Sequence, residues 1–235
     1  MVGTNSPYLR RIEVTSTRLL WLAVLWMLYF SLHSVLASTI VKQYVAGRFP
    51  RVVPAYRLLY NGVALVLLMP PLMLMYSTDS SALWQWRGGW GWAADGVALL
   101  AVAGFFWSLL YYNGQEFLGW RQAQDRDTSR DTHERLTISP LHRYVRHPWY
   151  FLALLLLWTR DMNAAFLVTC VAITGYFVVG SRLEENKLVA IYGDAYQQYM
   201  ARVPGLIPWP SKRLMRDQAA ALEQQANVTP PHAGG

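Results

Sequence analysis

Arg143-Tyr144-Val145-Arg146-His147-Pro148-Trp149-Tyr150 stands directly before an apolar run, and Glu184-Glu185 stands directly behind the next one. Arg146 offers a fixed cation whose planar fork can grip both oxygens of a carboxylate. His147 offers a group that titrates near neutrality. Glu184 and Glu185 point about 100° apart on a helix, so one of them can face the loop cluster. There a carboxylate can hold a cationic ligand, a ribose hydroxyl or the Arg146 side chain. The bland alternatives are a juxtamembrane basic patch that only sets topology, and a local ion pair of Glu185 with Arg182. Charged groups near a bilayer are costly and persist mainly where a site needs them, which favours a shared site.

The elements that must position these clusters are membrane helices. Of the 235 residues, 54% are hydrophobic and only 15% charged, against roughly 25% charged in a soluble domain. The apolar residues are gathered in runs near the length of about 20 that crosses a bilayer. The expected fold is all-α, a polytopic membrane helix bundle of about five spans with a cytosolic C-terminal helix and loop. The candidate spans are Leu19 to Ala37, Leu58 to Tyr76, Ala93 to Tyr112, Phe151 to Trp158 and Ala164 to Gly180. Pro70-Pro71 is expected to kink the second. The fourth is short, opens on Pro148 as a favoured first-turn residue, and turns back through Arg160 to Asn163. No cleavable signal peptide is expected.

Sixteen of the 21 Lys and Arg residues fall in the 42–57 loop, the 113–150 loop and the segment after Gly180. The excess places those segments in the cytoplasm, so both clusters face one compartment. The net charge of +7 follows the loops and fits anionic lipid headgroups rather than nucleic acid. The bilayer is therefore the expected partner, and no stable protein partner is evident. Trp84, Trp86, Trp90 and Trp92 read as an interfacial belt. Cys170 is a lone packing residue. Three regions follow: N-terminal spans over 1–112, a catalytic and cofactor-binding region over 113–210, and a tail over 211–235 expected to be partly disordered.

Other polar residues are quieter. His33, Ser34 and Asn61 are expected as interhelical hydrogen bonders. Tyr196 and Tyr199 share a helical face and either pack the C-terminal segment or wall an aromatic pocket. Asp125, Asp127, Asp131, His133 and Glu134 lack metal-ligand spacing, so no metal site is expected. The chain has no G-x-G-x-x-G after a strand, no phosphate-binding loop, no H-E-x-x-H and no G-x-S-x-G elbow. A nucleotide-like cofactor would have to bind outside a dinucleotide-binding domain.

The segment 143–150, the apolar hairpin, Glu184-Glu185-x-x-Leu188, Tyr192-Gly193-Asp194-x-Tyr196-x-x-Tyr199 and Val203-Pro204-x-x-Ile207-Pro208 together resemble the isoprenylcysteine carboxyl methyltransferase family, over roughly residues 115–210. His33-Ser34 and Tyr56-Arg57 resemble bacterial members. The resemblance implies an integral membrane methyltransferase using S-adenosylmethionine in a pocket open to the cytosol, with a lipid-facing opening for the acceptor. It implies that Tyr144, His147, Tyr150 and Glu185 contact the cofactor, and that Arg146 and Glu184 are catalytic, orienting the acceptor or completing the pocket. Phe117-Leu118-Gly119 weakly matches a small-residue approach to the cofactor. His142 joins the cofactor-binding group, but stands in Pro140-Leu141-His142 where the family often has Gly-Pro-Tyr, which leaves acceptor identity open. An isoprenoid-type carboxylate, a small thiol and a lipid amine all remain, and for a thiol either His142 or His147 can take the proton. The setting implied is a bacterial inner membrane. Two rivals stand beside this reading: a nicotinamide-dependent membrane reductase of the sterol-reductase type, and a non-catalytic membrane accessory protein.

Overall fold

Long apolar stretches dictate the architecture, because a backbone in hydrocarbon must satisfy its own hydrogen bonds and does so as helix. The computed structural model describes residues 7–111 and 135–228. Among them are seven α-helices: α1 (Pro7–Ala37), α2 (Thr39–Arg48), α3 (Tyr56–Ser77), α4 (Gly89–Leu109), α5 (Pro148–Trp158), α6 (Ala164–Arg202) and α7 (Arg216–Val228). Four segments are long and apolar enough to cross a membrane: Thr15–Ala37, Pro50–Ser77, Gly89–Leu109 and Ala164–Arg202. Many of their large apolar side chains, such as Leu65, Val66, Leu99 and Leu100, are exposed, as expected where lipid is the solvent. The protein is an integral membrane protein with an all-α fold.

The fourth expected segment is α5, whose 11 residues rise about 16 Å. That is near half of a hydrocarbon core of about 30 Å. Helix α3 continues through Pro70 and Pro71. The described residues form two compact units, one of residues 7–94 and 160–173, the other of 95–111, 135–159 and 174–228.

In the first unit α1 packs on α3. Trp26 is almost fully buried and donates its indole N–H to Thr169 Oγ1 at 3.0 Å. An aromatic ladder runs from Trp26 through Phe30 and Tyr29 to His33. His33 Nε2 lies 2.7 Å from the Tyr60 hydroxyl, the interhelical bond expected of it. A two-stranded ribbon joins β1 (Ala82–Trp84) to β2 (Met162–Asn163), with Ala82 opposite Asn163 and Trp84 opposite Met162. The sequence reading contained no strands, since this pairing spans some eighty residues. Asn163 then caps α6 by accepting the Phe166 N–H at 2.8 Å.

In the second unit α5 lies on α4. The Trp149 indole N–H donates to Ser108 Oγ at 2.7 Å. Gly104 permits the approach, because a Cβ there would stand 3.2 Å from the Leu152 side chain. Helix α6 is broken at Gly193, with φ 56° and ψ −134°, a conformation essentially reserved for glycine.

Part of the segment from 211 onward, expected as a partly disordered tail, lies among the described residues. Within it, Arg216–Val228 forms α7. Leu214, Ala219, Leu222 and Ala226 are buried in one core with Leu136, Ile138, Tyr196, Tyr199 and Val203. The physical reason is spacing: Ala219, Leu222 and Ala226 recur at three and four residues and make an apolar stripe within a Gln-rich composition.

Candidate active site

The site lies wholly within the second unit, between the start of α5 and the later turns of α6. Pro148 opens α5. Just ahead of it, two consecutive main-chain bonds hold the loop: Arg146 N–H donates to Pro204 O at 2.9 Å and His147 N–H to Gly205 O at 3.0 Å. The break at Gly193 precedes this return, and Pro204 cannot continue a helix without clashing with the preceding turn.

The two titratable clusters meet. Arg146 Nε donates to Glu185 Oε1 at 2.8 Å, with side chains 11% and 8% exposed. His147 Nε2 lies 3.0 Å from the same oxygen, and its Nδ1 lies 3.4 Å from Glu184 Oε2. Glu184 is the open member, its side chain 51% exposed. Arg146 Nη1 also donates to the carbonyls of Met200, at 2.9 Å, and Val203. A Cβ on Gly205 would stand 3.2 Å from Arg146 Nη2, so glycine leaves room for the guanidinium. Arg146 is thus bound to protein acceptors, and of the partners considered for Glu185 the structure presents Arg146.

Tyr150 stacks between two rings. Its centroid is 5.3 Å from His147 with planes 9° apart, and 4.4 Å from Phe177 with planes 5° apart. Phe177 was not singled out in the sequence; its only signal is its place two turns ahead of Glu184. Tyr144 is 43% exposed, with the Arg143 guanidinium 6.0 Å over its ring. Tyr196 and Tyr199 are buried, which matches the packing alternative. The Tyr199 hydroxyl donates to His142 O at 2.6 Å.

His142 Nδ1 lies 2.7 Å from Ser139 Oγ. Burial first, then the neighbouring His147 charge, push His142 down to about 4, against a smaller upward pull from Glu184. It is therefore neutral at pH 7. Ser139 is a partner that the sequence reading missed. Phe117-Leu118-Gly119 and the acidic loop from Asp125 to Glu134 lie outside the described residues.

Comparison with known proteins gives the family. The chain is 30% identical over 190 residues to a methanethiol S-methyltransferase of Mycobacterium tuberculosis, covering 77% of this chain and 74% of that protein. The chain belongs to the isoprenylcysteine-carboxyl-methyltransferase-like family of membrane methyltransferases. Two further relatives carry the same activity in their names. One, from Pseudomonas sp. (strain GM41(2012)), is 29% identical over 196 residues, 79% of this chain and 72% of the relative. Methanethiol S-methyltransferase 2 of Bradyrhizobium diazoefficiens is 31% identical over 187 residues, 79% of this chain and 71% of the relative. Neither a protein-family profile nor a solved structure matches the chain. The chain is a membrane methyltransferase.

Proposed function

We propose that this methyltransferase moves the methyl group of S-adenosylmethionine to a small apolar thiol of the methanethiol class. The observation that carries the acceptor class is the engagement of Arg146 by Glu185 and the carbonyls of Met200 and Val203. An acceptor carboxylate would need a cation, and this guanidinium already has its partners. A thiol needs none. The relatives named methanethiol S-methyltransferase support the same choice.

The residues present fit a cationic, nucleoside-bearing donor. Glu184 presents a carboxylate of opposite sign to a sulfonium, beside the stacked rings of His147, Tyr150 and Phe177. His147 and Glu185 sit behind them, with His147 Nε2 3.0 Å from Glu185 Oε1. S-adenosylmethionine, when bound, supplies an activated methyl group on a cationic sulfur. The protein's part is alignment and exclusion of water.

His142 and His147 both stand near enough to the site to serve a thiol, and their surroundings separate them. His147 lies between two carboxylates. His142 is the neutral imidazole, and we assign it the thiol proton. Sulfur's lone pair forms the new carbon–sulfur bond as the sulfonium carbon–sulfur bond breaks, and the S–H proton passes to a base. An S–H on a sulfur gaining a third substituent is strongly acidic, so an imidazole of depressed basicity suffices. The region 113–210 carries this machinery, the site faces the cytoplasm of a bacterial inner membrane, and an apolar acceptor reaches it through the bilayer.

The test is headspace detection of dimethyl sulfide from detergent-purified protein given S-adenosylmethionine and methanethiol, with NADPH as the control donor. Donor-dependent dimethyl sulfide supports the reading. Methyl transfer to a prenylated cysteine carboxylate but not to methanethiol would overturn the acceptor class.

A further inference from the structure

We propose that α7 is a strap that sets the position of the donor-site loop, with Asn227 and Glu223 as positioning residues that act through the main chain of Leu136 and Ile138. The proposal rests on the reading of that loop as part of the methyl-donor site.

Residues 135–139 belong to no helix or strand. Their main-chain groups turn instead to the side chains of a helix. Leu136 N–H donates to Asn227 Oδ1 at 2.9 Å, and Asn227 Nδ2 returns a bond to Leu136 O at 3.2 Å. Ile138 N–H donates to Glu223 Oε1. A side-chain amide thus imitates the donor and acceptor of a neighbouring strand.

The spacing explains why a helix can do this. Glu223 and Asn227 are four apart, about 6 Å along a helix axis. Leu136 and Ile138 are two apart, between 6 and 7 Å along an extended chain by the usual rise of about 3.3 Å per residue. Running antiparallel, the helix meets alternate residues of the segment in register, Asn227 at Leu136 and Glu223 at Ile138. Leu222 and Ala226, one position earlier and about 100° round the helix, are buried in the same core as Leu136 and Ile138. Polar recognition and apolar packing therefore act on the same two residues.

Both ends of the following segment are held. At the far end Leu214 N–H donates to Arg143 O at 2.9 Å. Between these ties lie Ser139 and His142, and three residues beyond Arg143 comes Arg146. Displacement of residues 136–143 would therefore carry His142 with it and shift the start of the Arg146-His147 segment.

The experiment compares full-length protein with Asn227→Ala/Glu223→Ala and with Glu223→Gln, which keeps an acceptor oxygen for Ile138. Hydrogen exchange on the donor-free protein should show residues 135–147 losing protection in the double variant while the apolar part of α6 keeps its own. In turnover, the donor KM should rise about tenfold, on the order expected for losing two or three such bonds, with kcat changed much less. Glu223→Gln should behave as wild type. Unchanged exchange over 135–147 overturns the strap, as does a kcat loss at unaltered donor KM, or a Glu223→Gln variant as impaired as the double variant. Should wild-type protein fail to use the methyl donor, the exchange measurement still decides the strap, so the two failures are distinguishable.

Discussion

Replacing Glu185 by alanine should damage the fold as well as the site, and by an amount the geometry sets. Glu185 Oε1 receives Arg146 Nε at 2.8 Å and stands 3.0 Å from His147 Nε2, with both the glutamate and arginine side chains at or below about a tenth exposed. Removing the carboxylate leaves the guanidinium buried beside main-chain carbonyls with no counter-charge. Breaking such a buried pair from one side typically costs about 3–5 kcal/mol. For a chain of this size that corresponds to a fall in melting temperature on the order of 10 °C. The assay is thermal unfolding of detergent-purified protein followed by tryptophan fluorescence. A second variant isolates the cause: Arg146→Met with Glu185→Leu removes both charges and should regain much of the loss, since paired apolar replacement is often near neutral. Glu185→Ala melting within about 2 °C of wild type would refute the reasoning. So would a paired variant no better than the single one.

Three further outcomes are expected. Gly193→Ala should destabilise by about 1–3 kcal/mol, because the residue sits at φ 56° and ψ −134°, where a Cβ is strained; a chemical-denaturation midpoint equal to wild type would contradict this. Trp26→Phe should lose about 1 kcal/mol with its bond to Thr169, read as an earlier melting transition that Thr169→Val alone reproduces. His142 titrates near 4 in the folded protein and 6.5 as a reference, so its contribution is complete above pH 6.5 and is lost as pH falls from 6.5 toward 4. That amounts to about 3 kcal/mol at most. Melting curves of wild type and His142→Asn should converge across that window, and curves that fall in parallel would exclude His142 as the cause.

The spans were legible because length and apolarity suffice to specify a membrane helix; α1, α3, α4, α5 and α6 cover the five runs that composition picked out. The candidate site was legible as two titratable clusters bracketing one hairpin, since charge beside a bilayer is costly and persists mainly where a site uses it. What Arg146 grips was not settled by the sequence: a free fork can hold a substrate carboxylate, and only the folded return of 200–205 brings its carbonyl partners near. Helix α7 escaped because its apolar stripe rests on alanines diluted by glutamine, and its partner is a segment some ninety residues earlier. The Gly193 break escaped because glycine inside a helical pattern is ambiguous until its φ is known. Ser139 and Phe177 carry no local signal of chemistry, and proximity alone makes them part of the site.

The most direct test of the central claim is calorimetric titration of the detergent-purified protein with S-adenosylmethionine, run beside Glu184→Gln. Glu184 is the exposed carboxylate of the cluster, so its neutralisation should leave the fold intact and weaken donor binding several-fold, on the scale of an exposed ion pair. Saturable binding by wild type with that loss in the variant is the predicted result. Equal binding by both, or no binding by either, would contradict the assignment of this cluster as the methyl-donor site.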